Sequence, residues 1–210
     1  MSNLCPLCHS EASLFHENEH RIHYQCPTCF GIFADTKSRP SETIEKKHYK
    51  KHNNDVEDKG YQEFVSPITD SIRKDFDTKH KGLDFGAGTG PVLSKILKDN
   101  GYSIVQYDPY FHNYPELLTH QYDFIASCEV IEHFYSPHKE FSLLKKLLKP
   151  NGKLYCMTHI YDESIDFNKW YYKNDPTHVF IYHQKTLSWI QKEFRFSQLC
   201  INNRLITFSY

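Results

Sequence analysis

Neither sign of charge is in excess in this chain. Lysine and arginine number 25 against 26 aspartate and glutamate, a formal net charge of −1, so no global field gathers a polyanion and a nucleic-acid partner would need a local patch. Long apolar runs are missing too: no stretch approaches the ~18 residues of a membrane helix. Residues 1–15 lack both the basic start and the apolar run of a signal peptide. These absences predict a cytoplasmic protein. A disulfide framework is also absent, because four of the seven cysteines form two close pairs while Cys128, Cys156 and Cys200 are scattered through apolar strands. At 210 residues there is room for one ordinary core and a small appendage, not for two full-sized domains.

Glycine is scarce, and three of the 8 glycines crowd into residues 83–90, Leu-Asp-Phe-Gly-Ala-Gly-Thr-Gly. Gly86, Gly88 and Gly90 let the backbone turn sharply and approach a ligand, with Asp84 at the carboxyl end of the preceding strand. Helix-favouring residues occupy 91–98. Pro91 suits a first helical position, so the amide donors of the next turn point back at the loop. The dinucleotide fingerprint Gly-x-Gly-x-x-Gly would need glycine where Pro91 stands, and no Lys-Ser or Lys-Thr pair succeeds the loop to make a phosphate-cradling P-loop.

Cys5-Pro-Leu-Cys8 and Cys26-Pro-Thr-Cys29, with 17 residues between them, have the spacing of a zinc site. Four thiolates can close a tetrahedron and leave no open position, so Zn²⁺ here would be structural. The few apolar residues of this segment cannot make a core unaided, and metal binding would supply folding energy. His9, His16, His20 and His23 are alternative ligands or plain surface histidines. By these marks the chain divides into a zinc ribbon over 1–35, a helical linker or cap over 36–80 with helices over 43–52 and 61–76 interrupted near Pro67, and a main domain over 81–210.

The run from Asp84 to Gly90 resembles the first motif of class I S-adenosylmethionine-dependent methyltransferases, and the later motifs come in a similar order. Asp108 closes a β-rich run about 20 residues past the glycines, Glu129-Val-Ile-Glu-His133 succeeds the run 122–128, and Leu148-Lys-Pro-Asn-Gly152 precedes a strand over 153–158. A helix over 137–148 has Phe141, Leu144, Leu147 and Leu148 on one stripe. A last helix over 184–194 leads into two strands that turn at Asn202-Asn203. The resemblance implies an α/β fold, a Rossmann-like methyltransferase sheet with an antiparallel final strand, beside the ribbon; the fusion looks like bacterial methylase-like proteins whose acceptor is unassigned. It implies that Asp84, Phe85, Gly86, Ala87, Gly88, Gly90, Asp108, Pro109 and Glu129 bind S-adenosylmethionine. For Asp108 the second reading is a turn aspartate before Pro109. The chain departs from the family over 109–121, too short for the usual third strand, which puts the adenine pocket in doubt; Tyr110 and Phe111 are candidates for stacking there. Tyr49, His52, Asn53 and Tyr61 are candidates to cap the cofactor.

Methyl transfer asks for alignment and, where necessary, removal of a proton. His133 is the candidate base, His178 and Glu132 its candidate companions; a packing role for His133 is the alternative. Glu129, Glu132, His133 and His178 also resemble the metal-binding set of small-RNA 2′-O-methyltransferases, which would place Mg²⁺ there. Trp170, Tyr171 and Tyr172 form either an aromatic wall for an acceptor or core under the loop. Three functions compete: a small-molecule O-methyltransferase; an RNA methyltransferase whose ribbon docks nucleic acid through Arg21, Lys37, Arg39, Lys46, Lys47, Lys50 and Lys51, among which acidic residues are interspersed; and a binding module without catalysis.

Overall fold

A computed structural model describes residues 3–50 and 55–210. In chain order the elements are β1 (Ser13–Glu17), β2 (Ile22–Gln25), β3 (Ile32–Ala34), α1 (Glu42–Tyr49), α2 (Lys59–Asp75), β4 (Lys81–Phe85), α3 (Val92–Asp99), β5 (Ser103–Tyr107), β6 (Tyr122–Cys128), α4 (Pro137–Leu147), β7 (Leu148–Met157), β8 (Ile160–Tyr161), β9 (Phe180–His183), α5 (Gln184–Glu193), β10 (Gln198–Asn202) and β11 (Leu205–Ser209).

Six strands form the main sheet in the order β10-β11-β7-β6-β4-β5. The pairs β4/β5, β4/β6 and β6/β7 are parallel, whereas β11 is antiparallel to both β7 and β10. The uninterrupted apolar run of β6 results from burial on both faces. Phe124 and Ala126 pack with Val65, Ile68 and Ile72 of α2 and Leu93 and Leu97 of α3. Ile125 packs on the opposite side, with Phe141 and Leu144 of α4 and Leu187 and Ile190 of α5. Successive side chains thus meet opposite helical layers, the period-two rule of a strand. Between β5 and β6 the chain makes only a 3-10 turn over Pro115–Thr119, so β5 ends the sheet.

Two expectations about elements need correction. Helix α2 runs through Pro67 without interruption, because its buried face, Val65, Ile68, Thr69 and Ile72, holds it against α3 and the sheet. Strand β7 begins at Leu148, not 153; Asn151, with φ of 64°, makes an irregularity at the start of the ladder that precedes its regular pairing with β6. Residues 51–54, which include His52, Asn53 and Lys51, lie outside the described residues.

The amino-terminal strands form a second sheet, β1-β2-β3-β9-β8, that reaches into the carboxyl-terminal half of the chain. Ile32 and Phe33 pair with Ile181 and Phe180. Close approach there requires Gly31, since a Cβ at that position would lie 2.3 Å from Cζ of Phe180. Strand β9 is then tied to the segment after β6: Val179 N–H donates to the Glu132 carbonyl at 2.9 Å and the Tyr182 hydroxyl to the Ile131 carbonyl at 2.9 Å.

Candidate active site

The carboxyl ends of β4, β5 and β6 open into one cavity of about 960 Å³, where an open α/β sheet places its ligands. The glycine loop forms its floor. Gly86 and Gly88 hold φ of 86° and 62°, and a Cβ on Gly86 would sit 2.5 Å from the Val130 side chain, whereas one on Gly88 meets nothing within 4 Å. The loop is pinned to β5: Gly86 and Ala87 donate to the Tyr107 carbonyl at 2.8 and 3.2 Å, and Gly88 donates to Asp108 at 3.0 Å. Helix α3 starts at Val92 with Pro91 as the capping residue, one position later than the sequence suggests.

Asp84 is buried behind the loop and accepts from the Ser94 hydroxyl at 2.7 Å; burial, with the Asp108 charge, pushes its carboxyl up to about 6. Asp108 accepts from Gly88 with one oxygen and from the amides of Tyr110 and Phe111, at 2.8 and 3.1 Å, with the other. It therefore does the work of a turn aspartate while lining the cavity. Phe85, Ala87, Gly90 and Pro109 line it as well, with Tyr110 and Phe111 on the Asp108 side. The open space above Gly88, the pinned loop and the acidic β5 end fit an adenosyl group.

At the end of β6, Glu129 takes a φ of 52°, a left-handed conformation uncommon outside glycine. Its carboxylate meets the Arg204 guanidinium at 2.6 Å. Burial and nearby Glu132 nevertheless push Glu129 up to about 8. Arg204 lies over the Phe64 ring of α2 at 4.8 Å and leaves its buried Nε without a partner among the described residues. Glu132 is fully buried, does not line the cavity, and accepts from the Tyr172 hydroxyl at 2.6 Å; burial pushes it up to about 7.

His133 and His178 line the cavity with their rings 5.0 Å apart. The Nδ1 of His133 faces the Thr177 carbonyl at 2.9 Å, and that of His178 faces the Tyr172 carbonyl at 2.8 Å. A carbonyl only accepts, so each Nδ1 is the protonated nitrogen and Nε2 is the basic atom of the neutral ring. Burial, with His133 nearby, drives His178 down to about 4. Tyr49, Tyr61, Tyr135, His159, Tyr171 and Tyr172 also line the cavity, together with the charged Glu45, Lys139, Glu140 and Asp175. Trp170 does not reach it: that ring packs against Phe167, Tyr161 and Tyr172.

Ligand atoms of Glu132, His133 and His178 lie within 4.8 Å of one another, but Glu129 is turned to Arg204 and stands outside this group. Mg²⁺ takes oxygen ligands in a near-octahedral shell. A set of two imidazoles and one carboxylate does not fit it. The four cysteine sulfurs do form a closed cluster within 4.8 Å, the donor set and spread of a structural zinc site.

Arg21, a candidate phosphate contact by sequence, is buried at 8% exposure and bound to backbone. Its Nη1 donates to the carbonyls of Lys173 and Asp175 at 3.0 and 2.6 Å, its Nη2 to those of Pro176 and His178 at 3.0 and 2.9 Å. Arg39 and Lys46 sit over the rings of Tyr135 and Tyr110. Arg204, His159 and Tyr135 carry no motif that would have marked them; only the placement of Arg204 in the final hairpin turn, at the carboxyl end of β7, could have been anticipated from topology.

Sheet order, glycine loop and acidic β5 end define the class as a class I S-adenosylmethionine-dependent methyltransferase fold. The chain belongs to a methyltransferase domain family whose model matches residues 57–200. Among solved structures it is similar to a 1,6-didemethyltoxoflavin N1-methyltransferase from Burkholderia thailandensis, at 11% identity and a TM-score of 0.55 over 94% of this chain and 99% of that one. A SAM-dependent methyltransferase from Archaeoglobus fulgidus is similar at 19% identity and a TM-score of 0.53, over 66% of this chain and 71% of that one. An O-methyltransferase family protein from Burkholderia thailandensis is similar at 11% and 0.51, over 70% of this chain. The chain spans 56% of the length of that last protein. At these identities the likeness is one of fold. None of the curated proteins matches the chain. No helix among the described residues is long and apolar enough to cross a membrane.

Proposed function

We propose that this protein transfers a methyl group from S-adenosylmethionine to an oxygen of a small acceptor. The observation that carries this reading is the pair of cavity-lining imidazoles, His133 and His178, held with Nδ1 on backbone carbonyls. A volume of about 960 Å³ is at the upper end of ordinary ligand cavities, ~300–1,000 Å³, and suits a nucleoside with a small partner.

The cofactor supplies a methyl group on a positively charged sulfur. On this reading, Asp108 and the loop from Gly86 to Gly90 hold its nucleoside, and Glu129 with Arg204 faces its amino-acid tail. Tyr49, Tyr135, Tyr171 and Tyr172, which line the cavity, would orient the acceptor toward the methyl group. With the cofactor bound, its methyl carbon would be the electrophile, and Nε2 of His133 would take the acceptor's hydroxyl proton. Glu45 and Asp175 line the cavity beside those phenols and imidazoles, and their carboxylates disfavour a polyanionic acceptor.

Methyl-labelled cofactor incubated with a lysate fractionated into metabolites, RNA and protein is expected to label a metabolite. Label in RNA, with transfer falling steeply as salt rises, would overturn the small-molecule reading. His133→Asn is expected to cut turnover by ~10²-fold or more, the usual contribution of a general base, with S-adenosylhomocysteine affinity unchanged by calorimetry. Wild-type turnover in that variant would remove the base.

A further inference from the structure

Besides the pairing of β3 with β9, one side chain of the ribbon reaches the segment that carries His178. Arg21 stands just before β2, where Asn18 fixes the hairpin by accepting from the amides of His20 and Arg21 at 2.9 and 2.8 Å. From there the guanidinium reaches 152 to 157 residues along the chain and binds four carbonyls of residues 173–178 at 2.6–3.0 Å. A planar fork with several donors can do this, whereas an ammonium cannot match it. Four carbonyl oxygens converging on one buried cation would repel one another without it.

The bound segment is the one that orients both imidazoles. Thr177, between two of the held carbonyls, offers its own carbonyl to His133 Nδ1. His178 ends the held segment, and its ring bonds to Tyr172 just before it begins. Asp175 closes the turn by accepting from the amide and hydroxyl of Thr177. This segment has no regular secondary structure after the 3-10 turn Tyr171–Asn174. Val179 supports it, with its amide bonded to Glu132 and its carbonyl accepting from Ala34, and α1 supports it through His48, whose Nε2 meets the Asp175 carboxylate at 3.2 Å.

We infer that Arg21 is the positioning residue of the acceptor side: the ribbon serves as a buttress whose guanidinium sets the turn at 173–178, and through it the tautomer and direction of His133 and His178. The inference rests on those two imidazoles serving the acceptor. It assigns the ribbon a part in the reaction without any contact to nucleic acid.

Arg21→Gln and Arg21→Lys in the full-length, zinc-loaded chain test this by ¹⁵N and ¹³C NMR of the histidine side chains. The wild type is expected to show both rings with the proton on Nδ1. In both variants those signals shift toward the Nε2–H form or to an average, and amide exchange over 173–178 accelerates by roughly tenfold or more, the loss expected for hydrogen bonds to a charged group. S-adenosylhomocysteine affinity by calorimetry stays within about twofold and zinc stays bound, because neither the glycine loop nor the cysteines touch Arg21. Unchanged tautomers and exchange would overturn the proposal. So would loss of cofactor affinity in step with the tautomers in Arg21→Lys, which keeps the charge and stem: Arg21 would then support the whole fold. Neither readout needs an acceptor, so the outcome is separate from the assignment of His133 as base, which turnover of His133→Asn decides.

Discussion

His23 is 1% exposed, its two ring nitrogens have no hydrogen-bond partner among the described residues, and Phe167 packs edge-on against it at 5.3 Å. Burial drives its pKa down to about 3, while an unfolded histidine titrates near 6.5. Below 6.5 the unfolded chain takes up a proton that the folded chain refuses, so stability present above 6.5 is lost as pH falls toward 3. Between pH 7 and pH 5 this one group costs about 2 kcal/mol. His23→Phe is expected to flatten the fall of denaturation midpoint with acid by that amount relative to wild type, read from urea melts at the two pH values. A second pair of substitutions separates backbone strain from ligand space. Gly88→Ala places a methyl in open cavity at φ of 62° and Gly86→Ala drives one into Val130 at φ of 86°. The first is expected to lose about 1 kcal/mol of stability but at least tenfold in S-adenosylhomocysteine affinity; the second loses clearly more stability. Calorimetry and thermal melts read both.

Element by element, the sheet was readable where local pattern decides it. The unbroken apolar run of β6 and the β-rich β5 ending in Asp108 announce themselves, and a gap of 13 residues between them leaves no room for another strand. Strands β8 and β9 were not readable. They are two and four residues long, and β9 takes its partner from a segment some 150 residues earlier, which no periodicity encodes. Arg204 was missed because topology alone brings it to Glu129, and Arg21 was read as a phosphate contact although it is buried against the carbonyls of Lys173, Asp175, Pro176 and His178. In α2 the proline rule misled, because tertiary burial outweighed it. Pro67 is exposed and leaves the Glu63 carbonyl without its helical donor. Pro67→Ala is therefore expected to raise stability by about 1–2 kcal/mol, less than the ~3 kcal/mol of an isolated helix because proline also restricts the unfolded chain; a rise in Tm checks it.

At the scale of the molecule, the two sheets meet through β9, which pairs with β3 on one side and is bonded to the segment after β6. Unfolding is expected to be a single transition. Stripping zinc with a strong chelator is expected to remove amide protection not only near the cysteines but also at Phe180–His183, by hydrogen exchange; protection lost only within residues 3–35 would show a ribbon that melts alone. The shared strand also bears on how the chain can be cut. A fragment beginning at residue 36 would keep every cofactor-lining residue yet present the bare backbone of β9 and the Phe180 ring to water, an adhesive border of the kind that recruits other chains. Such a fragment should scatter light and clump at concentrations where the intact chain stays clear.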